Sequence, residues 1–118
     1  MFAYVKAPQE RRSEPRLPVT LTAQCQIGSR VVREVVGDLS VNGMFVHTGQ
    51  AADAGTSVSA ALALPYADGP RFCTLVGRVV RSEGAGLAVE FDLELNDLDR
   101  EILRGFLSLW GARRTGRC

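Results

Sequence analysis

The sequence has few cysteines, a single histidine and no long apolar run. Cys25, Cys73 and Cys118 are widely spaced and form no C-x-x-C pair, which argues against a disulfide framework. His47 alone leaves too few ligands for a zinc site. Free thiols suit a reducing compartment. No stretch approaches the ~20 apolar residues that span a bilayer, and MFAYVKAPQE lacks the apolar centre of a secretion signal. A cytoplasmic protein with no membrane insertion is therefore expected. The formal net charge is +1, so no global basic field attracts nucleic acid. Catalytic signatures are missing too: there is no G-x-S-x-G, P-loop or H-E-x-x-H. His47 lies on a short apolar strand, where a structural role is expected. Cys73, read as half-exposed, has no base placed beside it. No enzyme activity, cofactor or metal is expected.

What is present organises itself along the chain. Its 118 residues suit one domain. Residues 1–16 read as a polar arm with Pro8 and Pro15. From Leu17, the apolar residues Leu17, Val19, Leu21, Ala23, Cys25 and Ile27 alternate, as in a half-buried strand. Gly28-Ser29 turns the chain into a valine-rich second strand, making a hairpin. Val41-Asn42-Gly43 is a further turn, followed by GMFVHT, a loop over 49–56, and alternating Val58, Ala60, Leu62 and Leu64. PYADGP, residues 65–70, reads as a turn before RFCTLVGRVVRSE. Gly84-Ala85-Gly86 leads to LAVEF, with Leu87, Val89 and Phe91 on one face.

The period then changes. Leu98, Ile102, Leu103, Phe106, Leu107 and Trp110 fall on one helix face. Asn96 is placed to cap it, acids follow in the first turn, and Gly111 is a candidate stop. Six short strands and one amphipathic helix indicate a mainly β domain over 17–111, an antiparallel barrel or sandwich against which the helix packs. A basic tail, 112–118, follows.

Two segments invite a chemical reading. In ERRSEPRLPV, residues 10–19, Pro15 keeps Glu14 off helical angles. Arg12 and Arg16 then lie on an extended or turned segment with Cα atoms at most ~13 Å apart. Guanidinium forks onto phosphate, pairs with the O6/N7 edge of guanine and stacks on planar rings. In DLSVNG, residues 38–43, Asp38 can accept from guanine N1 and N2, and Ser40 can donate or accept. Gly43 admits positive φ and close approach to a ligand. Alone, the first could be a solvated arm and the second ordinary turn chemistry.

Together they resemble the PilZ domain family, bacterial receptors for cyclic di-GMP. The family pattern is R-x-x-x-R, then [D/N]-x-S-x-x-G twenty to thirty residues later. Arg12 and Arg16 match the first part; Asp38, Ser40 and Gly43 match the second. GRVVRSEGAGLAVEF resembles the family's G-x-V-x-R and G-hydrophobic-x-V-x-F. The resemblance covers about residues 10–110. It implies a six-stranded antiparallel β-barrel with a C-terminal helix. It implies that Arg12 and Arg16 bind guanine edges and phosphates, and that Asp38, Ser40 and the backbone near Gly43 line a guanine pocket. Arg11, just before the motif, is associated in the family with a stacked pair of ligands, so two cyclic di-GMP molecules per chain are expected.

The implied function is a receptor whose arm closes over the dinucleotide and signals through a protein partner, since no output domain lies on this chain. Two alternatives stand beside it. One is an interaction adaptor of the same fold, acting in motility or surface machinery without sensing the nucleotide. The other is a barrel binding single-stranded nucleic acid. The latter needs exposed aromatics, whereas Phe45, Phe72 and Phe91 are assigned to the core.

Overall fold

The computed structural model describes residues 16–92 and 96–116, with side chains up to Trp110. Six strands follow one another: β1 (Leu17–Ile27), β2 (Arg30–Leu39), β3 (Gly43–His47), β4 (Ser57–Tyr66), β5 (Gly69–Glu83) and β6 (Gly86–Phe91). They close an antiparallel barrel in the order β1-β2-β3-β6-β5-β4, with β4 returning to β1. One helix, α1 (Asp97–Gly116), ends the described chain. The six-stranded barrel with a C-terminal helix is thus the observed fold.

Alternation builds the core. Ala23, Cys25, Ile27, Val58, Ala60, Leu62, Leu64, Leu75, Leu87 and Val89 all point inward and are buried. Closure leaves no sheet edge along most of the barrel. Glycines are needed where strands approach closely. A Cβ on Gly77 would lie 2.2 Å from the Glu90 carbonyl oxygen, and one on Gly86 2.0 Å from that of Val46.

Helix α1 starts as its sequence indicates. Asn96 Oδ1 accepts from the amides of Leu98 and Asp99 at 2.8 and 3.4 Å. Leu103 and Phe106 are fully buried, and Ile102, Leu107 and Trp110 pack at the margin. Tyr66 Oη donates to the Ile102 carbonyl, tying β4 to the helix. Gly105 makes room for this contact, since a Cβ there would meet the Tyr66 hydroxyl at 2.5 Å.

The structure corrects several sequence readings. Leu98 is exposed: in the first turn of α1 it is Asp99, not Leu98, that meets the strands, through the Thr74 amide. The helix does not stop at Gly111 but continues to Gly116. A helix-interior glycine costs only ~1 kcal/mol, and cationic residues at a helix C-terminus favour the dipole. The turn at 65–70 shrinks to Ala67-Asp68, with Pro65 opposite Pro70 inside the ladder. Cys73 is buried and Phe72 is 75% exposed, the reverse of the expected arrangement. Strand parity is the reason: Cys73, Leu75 and Gly77 take the inward positions of β5, so Phe72 and Thr74 face out. Phe91 is buried as expected, but Phe45 is only half-buried on the outer face.

Candidate ligand-binding site

A bulge creates the site. Val36 and Leu39 are both fully buried, though they stand three residues apart. Strict alternation would put Asp38 on the same side as Val36. Instead the register slips: Val36 lies opposite Val46, and Asp38 opposite Phe45. Gly37 is the extra residue of this β-bulge, and Asp38 is turned outward. The bare face of Gly37 is filled by the His47 ring, whose Nε2 lies 2.1 Å from where a Cβ would stand. His47 also packs edge-on against Phe45, centroids 5.1 Å apart. The lone histidine therefore has the structural role expected of it.

Arg16 meets the reoriented carboxylate. Its Nη1 lies 3.1 Å from Asp38 Oδ1, and both side chains remain about one-third exposed, at 34% and 30%. The pair stands where the chain enters β1, because Pro18 is in register with Asp38. Two groups 22 residues apart in sequence thus share one surface point. Arg11 and Arg12 lie outside the described residues.

Ser40 is buried and turned to its own loop. Its Oγ accepts from the amides of Asn42 and Gly43, both at 3.2 Å, and its amide donates to the Gly43 carbonyl at 2.9 Å. The Phe91 amide donates to the Asn42 carbonyl at 2.8 Å, fastening the loop to β6. The hydroxyl therefore sets the loop's shape. Gly43 departs from the sequence reading as well. It does not adopt positive φ; its α-carbon sits against β6, where a Cβ would be 2.4 Å from the Val89 carbonyl oxygen. Close strand packing, rather than a left-handed turn, demands glycine there.

The register extends the site to residues that had no assigned role. Asp38 lies opposite Phe45, Phe45 opposite Ala88, and Ala88 opposite Arg81. One line across four strands therefore runs from a carboxylate, past an aromatic ring and a small residue, to a second guanidinium. Arg81 is paired with Glu83. Its signal in the sequence is the arginine of G-x-V-x-R, which the motif reading left without a task. Among the described residues, no cluster of histidine, cysteine and acidic side chains could hold a metal ion, and no helix is long and apolar enough to cross a membrane.

The arrangement is a partly exposed, mixed-charge surface. The PilZ domain model matches residues 10–109. This chain belongs to the PilZ domain family. PilZ domains are generally non-catalytic binding modules and typically receptors for cyclic di-GMP. Among solved structures, this PilZ chain is similar to the Bacillus subtilis inhibitor of motility, MotI/DgrA, with a TM-score of 0.73 at 20% identity. The match covers 87% of this chain and 52% of that one, so the chain spans about half the length of that protein and shares its fold. No curated protein matches the sequence.

Proposed function

We propose that this PilZ domain is a cyclic di-GMP receptor. The observation that carries the reading is the Arg16–Asp38 pair, held at the mouth of β1 by the Gly37 bulge. It sets a guanidinium and a carboxylate side by side, the two groups that complement a guanine's O6/N7 edge and its N1/N2 donors. Arg16 turns from Asp38 to the ligand, and Asp38 accepts from guanine in exchange. Arg12 supplies a second guanidinium to the phosphates. Arg11 stacks on a base, and two stacked ligands bind per chain. Phe45 and Arg81 border the same line of the barrel and contact the ligand's outer edge. Ser40 and Gly43 act by fixing the loop.

Charge supports the reading. Arg11, Arg12 and Arg16 place three guanidinium groups within six residues, a local cationic cluster suited to the ligand's phosphodiesters. Closing the arm over the dinucleotide changes the surface offered to a protein partner, which takes the readout. The fold likeness to an inhibitor of motility makes a motility component one candidate partner.

A competition titration tests the function class. Labelled cyclic di-GMP should bind saturably and resist displacement by excess single-stranded RNA. Displacement by the RNA favours the nucleic-acid reading, and no binding at all favours the adaptor.

A further inference from the structure

A second surface lies away from this site. At one level of the barrel the register runs Arg33 of β2, Gln24 of β1, Ala61 of β4 and Thr74 of β5, each opposite the next. Asp99 of α1 follows, its Oδ1 accepting from the Thr74 amide at 3.3 Å. All four strand residues are exposed. Three strand spacings separate Arg33 from Thr74, about 14 Å. The row is therefore a neutral floor with a cation at one end and an anion at the other. Arg33 makes no ion pair among the described residues.

The floor is also hollow. A concavity of about 430 Å³ lies over it, lined by Thr22, Gln24, Ala61, Ala63 and Phe72, with Arg33 and Asp99 at its margins. Small side chains on β4 leave the depression. Phe72, opposite Ala63, stands on its rim with 75% of its surface exposed. A ring this exposed costs hydration free energy unless something covers it.

We propose that this face is a symmetric dimer interface, its occupant a second copy of the same chain. The knob and the hollow lie on one face, as an isologous contact requires. A two-fold axis lying in the interface and running along the strands carries Arg33 of each copy to Asp99 of the other. The same operation carries each Phe72 from β5 to the β1 side of the opposite floor, beside Thr22, and it keeps the two sheets aligned, a common mode of sheet packing. Complementary charge at both ends fixes the register and disfavours other orientations. A patch four strands wide is small for an obligate interface, so a weak, reversible association is expected.

Sedimentation equilibrium of the full chain, from micromolar to submillimolar concentration, tests this. The wild type should dimerise reversibly. Phe72→Glu and Arg33→Asp, both at exposed positions, should each weaken the dimer about tenfold or more, the scale of an interface-centre contact. Adding Asp99→Lys to Arg33→Asp should recover at least part of the loss, because it restores opposite charges across the axis. A wild type that stays monomeric throughout overturns the proposal. So does a dimer indifferent to Phe72→Glu and Arg33→Asp, and these two variants decide the matter even if Asp99→Lys disturbs the start of α1.

Discussion

Arg16 and Asp38 form an ion pair, Nη1 to Oδ1 at 3.1 Å, across 22 residues of sequence. The pair is one-third exposed, so solvent screens it. Its contribution to folding is therefore small, and in the proposed function its role is to present two complementary groups at one point. Arg16→Ala and Asp38→Ala should each change unfolding free energy by less than about 1 kcal/mol. Denaturant melts read this directly. The same variants should weaken cyclic di-GMP binding about tenfold or more, the scale of one charge-assisted contact.

Gly43 separates a folding role from a ligand role. Gly43→Ala drives a Cβ to within 2.4 Å of the Val89 carbonyl oxygen, a backbone atom with nowhere to retreat. A loss of about 1–3 kcal/mol is expected in chemical denaturation. Gly84→Ala is the control. Nothing lies within 4 Å of its added methyl, so stability should hardly move.

Tyr66 and α1 make a third test. Tyr66→Phe removes the hydroxyl that donates to the Ile102 carbonyl. The expected cost is about 1 kcal/mol, measured by thermal or denaturant unfolding, with the barrel's far-ultraviolet spectrum unchanged.

Cys73 gives a pH signature. Burial, aided by the nearby Asp99 charge, pushes its pKa from 9.0 up to about 12. The unfolded chain releases this proton from pH 9.0 upward, while the folded chain holds it until about 12. Stability should therefore be unaffected by this group below pH 9 and should fall as pH rises through that window. Cys73→Ala should flatten the slope of unfolding free energy against pH in alkaline buffer, whatever its effect on the baseline. Neither Cys25 nor Cys73 should react with iodoacetamide until the protein unfolds, as peptide mapping would show.

Much of this was legible in sequence because burial writes its own period. The inward series Ala23, Cys25, Ile27 and Val58, Ala60, Leu62, Leu64 locate β1 and β4 residue by residue. The cap at Asn96 was equally plain. What sequence could not carry is parity after an irregularity. The Gly37 bulge decides that Asp38 faces out, and one residue of phase puts Phe72 outside and Cys73 inside. Pairing between distant strands was hidden too. The line from Asp38 through Phe45 and Ala88 to Arg81 exists only once the barrel closes. The motif glycine showed where a side chain was forbidden, but the cause, the Val89 carbonyl, belongs to another strand.

The central claim is tested most directly by isothermal titration of the full chain with cyclic di-GMP, run beside Arg12→Ala and Arg16→Ala. Saturable binding is expected at two ligands per chain, severely weakened in both variants while their melting temperatures stay near that of the wild type. A wild type that releases no binding heat and shows no saturation by a second probe, or variants that bind as tightly as the wild type, would contradict it.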